Sequence, residues 1–493
     1  MNTIFLGIVS LIPFILMAFG ILKTKIKMHW VAFSVMVITV FLSFLWNKDL
    51  KVLEISFVEG IVIAILPIIW VIFAAVFTYF ISIKTSAMDR IKEFLNGITE
   101  DKNIQAVLIA FCFGGFLESV AGFGTAVAIP TGMLVALGFN PVKAAVISLV
   151  ANSVPVAFGA LGLPVIVLSN ITKEPLAEIT KYVALQLIPF SILIPIVITI
   201  ISNDGIKGIK DSLFDAIMIG LIFTITQTLV AFFIGPELVA VLGSSVSLIS
   251  IVIINHFFRK PNGKLRGIFL SVVNYVILLV LVVLTRLVFN DVLNKYPFVI
   301  TFDIGGHILK VDYLTTPGTL LLISSIIGAF IQGANFKTIS MTLLETLDKI
   351  KWSSITIVSI VILAKVMGNT GMIISTAVLI ATVSGKFYPI FSPLVGAIGT
   401  FITGSDTSSN ILFGILQKET AKNLGFDTTW IASSNTSGAT AGKMISPQSI
   451  AVASSAVGLQ GLEKQIISTT LPICLVYSLI LGMYVWIVSL LIV

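Results

Sequence analysis

The sequence predicts an all-α polytopic membrane protein with about twelve transmembrane helices and two re-entrant hairpins, arranged as an inverted repeat. Three observations support this fold class. Hydrophobic residues make up 57% of the 493 residues and charged residues 11%, a composition too apolar for an average soluble globule. Apolar runs of about 17 to 25 residues, the length that crosses roughly 30 Å of hydrocarbon, recur along the chain. Polar, glycine-rich stretches also recur at related positions in the two halves.

The apolar runs predict the individual spans. The first run lacks the basic region and the small-residue cleavage site of a signal peptide, so it is predicted to remain as a span. The stretches 104–138 and 389–417 are each too long for one ordinary span and carry a glycine-rich polar break near the middle. They are predicted to be re-entrant hairpins, which occur at membrane depth only where protein or water satisfies the freed backbone groups. The predicted spans are 3–22, 30–46, 57–83, 144–168, 182–202, 213–234, 238–258, 268–290, 317–334, 353–369, 428–448 and 466–493.

The distribution of Lys and Arg predicts the orientation in the membrane. With the N-terminus outside, most of these residues, including those of the 84–103 loop, lie in the cytoplasm, as the positive-inside rule requires. The loop 291–316 would then be external. Its alternating Phe298, Ile300, Phe302 and Ile304 suggest a small strand or hairpin, either a passive connector or a lid.

Several other classes of protein are disfavoured by the composition. The net charge of +7 comes from scattered Lys and Arg, not from one basic stripe, so topology explains it better than a nucleic-acid partner does. Cys112 and Cys474 are isolated, and His29, His256 and His307 have no ligand spacing. No metal or organic cofactor is therefore expected. Neither half contains a phosphate-binding glycine loop followed by Lys-Ser/Thr, so coupling to ATP within this chain is not expected.

A faint internal repeat relates the two halves. Four anchors in the first half are followed by equivalents 282 to 287 residues later, whereas independent small-residue turns would rarely keep this spacing. Seven predicted crossings separate the copies, so they face opposite sides of the membrane, which is the plan of many secondary transporters. The predicted parts are repeat 1 at about 57–202, central spans at about 213–334 and repeat 2 at about 353–493. The paired anchors are Met88 and Met372, Gly122 and Gly404, Gly138 and Gly425, and Asn152 and Asn435.

The polar breaks provide the candidate binding residues. A half-helix that begins at a break offers free backbone N–H groups and a positive dipole end, so a small carboxylate is the expected ligand. The alternative is that these residues are helix caps and packing contacts. In the first copy the candidates are Gly122, Gly124 and Thr125 at the first break and Asn152 and Ser153 at the second. In the second copy they are Gly404, Ser405, Thr407 and Ser408 at the first break and Asn435, Thr436 and Ser437 at the second.

Three ionisable residues complete the candidate site. Glu118 and Asp406 fall inside the two predicted hairpins, where a charged carboxylate is costly unless it takes up a proton or meets a cation. Both are candidates for proton coupling, although Asp406 could instead cap the helix that follows it. Lys443 could neutralise Asp406 or receive the carboxylate of a substrate. Lys365 is also predicted to lie within a span.

With these residues identified, the chain resembles the L-lactate permease family of bacterial plasma-membrane transporters over nearly its whole length. The runs that carry the resemblance are Phe116–Pro130, Ala151–Gly162, Thr403–Asn410 and Ser434–Ala451. The resemblance implies symport of L-lactate, and often D-lactate or glycolate, with protons across the bacterial plasma membrane. The oligomeric state is not indicated.

The Ser-Asn-Thr run at 434–436 is also similar to motifs of a wider group of ion-coupled carboxylate transporters, in which they bind sodium and substrate within a mobile domain. The first copy has Ala-Asn-Ser at 151–153 and so lacks one hydroxyl, which is compatible with proton coupling. An elevator-like movement follows only from this analogy. A sodium-coupled carboxylate transporter, an intramembrane hydrolase using Ser437 with Lys443, and a channel remain as less favoured alternatives.

Overall fold

The computed structural model describes most of the chain, and it is almost entirely helical. The helices below are numbered in chain order. Buried apolar side chains form two large clusters, and the thiols of Cys112 and Cys474 are both buried. The described residues are 3–23, 26–46, 49–96, 98–99, 101–120, 122, 124–203, 205–206, 209–258, 268–285, 289–293, 299–304, 307–456 and 463–491.

The N-terminal part is divided more finely than the apolar runs predict. The predicted span 3–22 is two helices that meet at Leu11, because Pro13 cannot donate the backbone hydrogen bond to Val9. The predicted span 57–83 contains a π-helical segment, Ala64–Ile69, which includes another proline, and such wide turns are frequent at functional sites. The helices are α1 (Thr3–Ser10), α2 (Ile12–Lys23), α3 (Met28–Ser43), α4 (Leu50–Ile63), α5 (Trp70–Lys84) and α6 (Ala87–Asn96).

The first polar break is the tip of an antiparallel helix pair. Gly114 on one arm lies against Ala126 and Pro130 on the other. Between the arms, Gly122 and Gly124 have φ angles of 56° and 88°, which glycine adopts at little steric cost. The arms are α7 (Lys102–Ala106), a π-helical segment (Val107–Phe113) and α8 (Gly114–Val120) on one side, and α9 (Thr125–Ala136) on the other.

The predicted span 144–168 is discontinuous. After α10 (Pro141–Ala151) a short 3-10 turn, Pro155–Phe158, precedes α11 (Gly159–Thr172). Ala160, Leu161 and Gly162 at the start of α11 are all left-handed, with φ angles of 43°, 59° and 76°. Left-handed backbone costs roughly 1–2 kcal/mol at each non-glycine residue, so the surrounding structure holds this turn in place. The next helix is α12 (Leu176–Ser202).

Central helices follow, together with the predicted external hairpin. Strands β1 (Val299–Ile304) and β2 (His307–Asp312) pair antiparallel, with Val299 opposite Asp312, which confirms the hairpin at that place. Phe298 lies outside the described residues. The helices are α13 (Lys210–Phe233), α14 (Pro236–Phe258), α15 (Ile268–Val283), α16 (Asn290–Leu293), α17 (Pro317–Ile331) and α18 (Phe336–Thr370).

The second long apolar stretch also forms an antiparallel pair. It consists of α20 (Tyr388–Thr403) and α21 (Asp406–Leu424). The Tyr388 hydroxyl donates to Gln417 Oε1 at 2.6 Å near the base, and Gly404, with a φ of 73°, forms the tip. This pair is preceded by α19 (Met372–Ser384), a helix for which no span is predicted.

The predicted second break of the second copy is wrong in position. Asn435, Thr436 and Ser437 lie inside one uninterrupted helix, α22 (Thr428–Lys443), and the break comes later, before α23 (Pro447–Ala456). Gly438 and Gly442 serve close packing, because they lie against the backbone of α20 at Pro393 and Ala397. The chain breaks instead before Pro447, which lacks a backbone donor and is well suited to begin a helix. The last helix is α24 (Glu463–Ser489).

Eight helices among the described residues are long and apolar enough to cross a membrane, or nine if the bent pair within α18 counts as one span. The predicted number of twelve is therefore not confirmed, because several apolar runs are split into shorter helices. The membrane course of the two hairpins and the inverted symmetry of the repeats remain predictions.

Candidate functional site

A buried cavity lies where the two hairpin tips meet. It is bordered by Gly122 and Gly124 of the first tip and by residues 403–408 of the second, and its volume is about 150 Å³. An engineered cavity of about 150 Å³ in another protein binds benzene, so this volume suits a ligand of about six non-hydrogen atoms. The two predicted breaks therefore form one site, although 282 residues separate them in sequence.

The cavity contains most of the predicted site residues. The predicted residues of the second breaks do not line it; these are Asn152, Ser153, Asn435, Thr436 and Ser437. The backbone of Thr125 begins α9, but its side chain lies outside the described part of the structure. The predicted residues that line the cavity are Glu118, Gly122, Gly124, Gly404, Ser405, Asp406, Thr407, Ser408 and Lys443.

The second tip is built by side chains that bond to its own backbone. Ser405 Oγ accepts a hydrogen bond from the Ser408 N–H at 3.3 Å, so Ser405 is the N-cap of α21. Thr403 Oγ1 accepts from the Ser405 N–H at 3.3 Å and donates to the Gly399 carbonyl at 2.8 Å. Asp406 is therefore the first helical residue and not the cap, which removes the capping explanation for its carboxylate.

Two buried carboxylates face this cavity, and three of their four oxygens have no hydrogen-bond donor in the described structure. Asp406 is 2% exposed, and neither of its carboxylate oxygens has a hydrogen-bond donor in the described structure. Glu118 is 4% exposed, and its Oε2 likewise has no donor there. Buried polar atoms are nearly always hydrogen-bonded in proteins, so unpaired oxygens at a cavity indicate a place for a ligand or a proton.

Lys443 is the cation of the site. Its Nζ donates to the Gly404 carbonyl at 2.8 Å, at the C-terminal end of α20, where the helix dipole favours a positive charge. It interacts electrostatically with both Glu118 and Asp406, but in the described structure no direct ion pair joins it to either carboxylate. The cavity thus separates one ammonium group from two carboxylates, and a small anion placed there would be near the ammonium.

Asn435 and its neighbours join helices instead of lining the cavity. The Asn435 amide donates to Asn410 Oδ1 at 2.9 Å and its Oδ1 accepts from Gln417 Nε2 at 3.1 Å. Asn410 Nδ2 in turn donates to Thr436 Oγ1 at 2.7 Å and to the Pro164 carbonyl at 3.0 Å. Ser437 Oγ donates to Gln186 Oε1 at 2.8 Å. These bonds hold α22 against α21 and α12, and they hold α21 against α11.

Asn152 differs from Asn435, its predicted equivalent in the second copy. It is the residue after α10, it is 1% exposed, and neither polar atom of its amide has a hydrogen bond in the described structure. The amide is close enough to Glu118 to interact electrostatically but does not reach hydrogen-bond geometry. Ser153 Oγ donates to the Val150 carbonyl at 2.7 Å, which is a local backbone contact.

Two features of the site region were not predicted. Lys365 of α18 forms a buried ion pair with Glu59 of α4 at 2.5 Å, which joins the two helices. The sequence signal that could have predicted it is the acidic Glu59 inside the apolar span 57–83. A vestibule of about 330 Å³ shares Thr356, Thr403 and Gln448 with the cavity and therefore adjoins it. The rings of His29 and Trp352 stack in its wall at 4.6 Å.

Comparison with known proteins identifies the family. The family model for L-lactate permease matches residues 7–492. The chain belongs to the L-lactate permease family. An L-lactate permease of Streptococcus iniae is 37% identical over 443 residues, which cover 87% of this chain and 93% of the relative. An L-lactate permease of Bacillus subtilis (strain 168) is 33% identical and covers 99% of this chain and 96% of the relative. Glycolate permease GlcA of Escherichia coli (strain K12) is 33% identical, with coverages of 97% and 94%.

Two solved structures show distant likeness. The YdaH transporter of Alcanivorax borkumensis is 14% identical, covers 85% of this chain and 84% of its own, and has a TM-score of 0.46. MtrF of Neisseria gonorrhoeae, from a class of antimetabolite efflux pumps, is 12% identical, with coverages of 95% and 96% and a TM-score of 0.49. Membership of the permease family makes this chain a multi-pass plasma-membrane transporter and not an enzyme.

Proposed function

We propose that this permease carries L-lactate, and also D-lactate and glycolate, together with protons across the bacterial plasma membrane. The names of the relatives support the substrate class, since they are lactate and glycolate permeases. The cavity supports the size, because lactate has six non-hydrogen atoms and glycolate has five. Lys443 and the N-terminus of α21 supply the positive charge and backbone donors that a carboxylate needs.

The observation that carries the coupling is the pair of unpaired carboxylates beside Lys443. A lactate anion in the cavity would be a third negative charge near Glu118 and Asp406, and among the described lining residues Lys443 is the one cation. Two like charges about 4 Å apart repel by about 4 kcal/mol at an effective dielectric constant of 20. Uptake of one proton by a carboxylate removes this repulsion, so anion binding and proton binding favour each other.

Asp406 is the better carrier of that proton. Neither of its oxygens has a donor among the described residues, and a buried carboxyl without donors is best accommodated in its neutral form. Glu118 has the Asn152 amide nearby as well as Lys443, so its ionised form is better compensated. In this proposal Glu118 balances Lys443 throughout, while Asp406 gains and loses the proton.

The architecture proposed for transport is an inverted repeat with an elevator-like movement. Each copy would bring one hairpin to the site, and the two hairpins would come from opposite sides of the membrane. The copies are at about 57–202 and 353–493, with central spans at about 213–334 between them. Antiparallel hairpins with glycine tips at the cavity support this arrangement. The movement itself rests on analogy with other carboxylate transporters.

Uptake into proteoliposomes tests the proposal. An inward proton gradient in sodium-free buffer should drive accumulation of radiolabelled L-lactate, and glycolate should compete. Each pH unit supplies about 1.4 kcal/mol, or tenfold in concentration, for one co-transported proton. A protonophore should abolish the accumulation. Accumulation that requires sodium and ignores the proton gradient would contradict proton coupling and favour the sodium-coupled alternative.

A further inference from the structure

The cavity has two chemically different sides. Its polar side comes from the hairpin tips and from the break between α22 and α23. Its other side is aliphatic and belongs to one buried hydrophobic cluster. Ile68, Ile72, Leu163 and Ile411 are members of that cluster, and Ile357 packs against it.

Ile68 and Ile72 form the part of this wall that is most firmly packed. They are four residues apart and so lie on the same face of their helix. Ile68 is 0% exposed and Ile72 is 4% exposed, which leaves little freedom to rearrange around a larger ligand. Ile68 belongs to the π-helical segment Ala64–Ile69. Ile357 of α18 packs against the same hydrophobic cluster and adds a third isoleucine from a separate element.

The two sides of the cavity suit different parts of a 2-hydroxy acid. Its carboxylate and hydroxyl need donors and a cation, which lie with Lys443 and the hydroxyls of the second tip. The wall of Ile68, Ile72 and Ile357 has no side-chain donor or acceptor, so it suits only the alkyl substituent. Because Ile68 and Ile72 are closely packed, this side leaves little room beyond the methyl group of lactate.

We infer that Ile68, Ile72 and Ile357 are specificity-determining residues that limit the length of the alkyl substituent at C2 of the transported 2-hydroxy acid. This inference rests on the proposed function and adds to it a rule for chain length. One methylene in a hydrophobic pocket changes the specificity ratio of a protein site by roughly 10- to 200-fold. The wild-type permease should therefore discriminate against 2-hydroxybutyrate, which has one more carbon than lactate.

The first test enlarges the wall with Ile72→Ala. We expect the uptake efficiency for 2-hydroxybutyrate, relative to lactate, to rise by about tenfold or more, because the removed carbons leave room for the added methylene. Ile360→Ala is the matched control, since Ile360 is equally buried at 0% exposure but does not line the cavity. If Ile72→Ala does not reach the membrane, Ile72→Val should give a smaller shift in the same direction.

The converse test fills the wall with Ile72→Phe. This variant should lose lactate uptake while it retains uptake of glycolate, which lacks the methyl group. If the relative uptake of 2-hydroxybutyrate, lactate and glycolate is the same in both variants as in the wild type, and the wild type takes up lactate normally, the inference is wrong. The proposed function would not be affected by that result. Absence of lactate uptake by the wild-type protein would overturn the proposed function, and the inference with it.

Discussion

Asp406 and Gly124, its equivalent in the predicted repeat, make the site asymmetric. Each lies at a hairpin tip beside the cavity, but only the second tip carries a carboxylate. Ser405 already caps α21, so the carboxylate of Asp406 is not needed for the helix start. A carboxylate buried without donors in the described structure supports the proposed role of Asp406 as the carrier of the proton.

Asp406→Asn should separate exchange from accumulation. Asparagine resembles the protonated acid, so the variant should still bind lactate and exchange labelled for unlabelled lactate across the membrane. It cannot release a proton, so accumulation driven by a pH gradient should fall to background. Uptake and exchange in proteoliposomes measure both, with the exposed Asp348→Asn as control. Accumulation at the wild-type level would remove Asp406 from the coupling mechanism.

Lys443→Met should weaken lactate binding. Loss of a charge-assisted hydrogen bond of about 1.5–3 kcal/mol corresponds to a rise in KM of roughly tenfold or more. Concentration dependence of uptake measures the change, and Lys443→Arg should retain part of the affinity. If KM stays normal and the amount of folded protein falls, Lys443 serves mainly to bind the Gly404 carbonyl.

The site residues could be predicted from the sequence where a break in the helical backbone forms the site. Gly404, Ser405 and Asp406 could be recognised because a polar, glycine-opened run interrupts an apolar segment. Asn435 looks similar in sequence, but its amide is satisfied by Asn410 and Gln417 from another helix. Sequence shows which groups need partners, whereas only the packing of helices shows whether they have them.

At the scale of elements, the breaks in the helices have different causes. Glycines with positive φ make the hairpin tips, and these were predicted. The break expected at residues 435–437 was misplaced, because these residues lie inside α22, where Gly438 and Gly442 make close contact with α20. Glycine in a positive-φ turn and glycine in a close helix contact cannot be told apart in the sequence, because the helix that packs against the glycine is not known.

The Glu59–Lys365 pair fixes α4 against α18, and both side chains are almost fully buried. Glu59→Gln should therefore lower the free energy of unfolding by about 3–5 kcal/mol, because it leaves Lys365 as an uncompensated buried charge. The double variant Glu59→Leu with Lys365→Met should be close to neutral. Thermal unfolding of the detergent-solubilised protein measures both.

The control for this prediction is an exposed pair on the same helix. Lys351→Met disrupts the ion pair with Asp348, whose side chains are 51% and 75% exposed, and should change stability by less than about 1 kcal/mol. If Glu59→Gln has no larger effect than Lys351→Met, the buried pair does not fix the two helices.

At the scale of the whole molecule, polar contacts tie the two sequence halves together. Glu174, between α11 and α12, accepts hydrogen bonds from Thr428 at 3.0 Å and Thr429 at 2.7 Å and forms an ion pair with Lys418 at 2.9 Å. Asn410 bonds to the Pro164 carbonyl deeper inside. We expect the parts joined by these contacts to move as one unit during transport.

The Glu174 contacts should make stability depend on acid pH. Burial acts to raise the pKa of Glu174, but the bonds from Thr429, Lys418 and Thr428 and the charge of Lys418 hold it below its ordinary value. Stability from these contacts is thus present above the unfolded pKa of about 4.3 and is lost as the pH falls through the folded pKa.

Comparing Glu174→Gln with the wild type tests this dependence. The variant should have a lower Tm at pH 7, by an amount that corresponds to roughly 1.5–3 kcal/mol. The difference from the wild type should shrink as the pH falls below about 4, because the wild-type carboxylate is then protonated. A difference in Tm that is the same at pH 7 and at low pH would contradict the role of the ionised group.

The burial of both native thiols makes this permease a convenient subject for chemical labelling. Cys112 and Cys474 are the two cysteines of the chain, and their exposures are 0% and 2%. A cysteine introduced at Thr356 or Gln448, in the vestibule beside the cavity, would react first with a water-soluble maleimide. Protection of that cysteine by lactate can then be followed without removing either native cysteine, and probes attached there report which side of the membrane the vestibule faces.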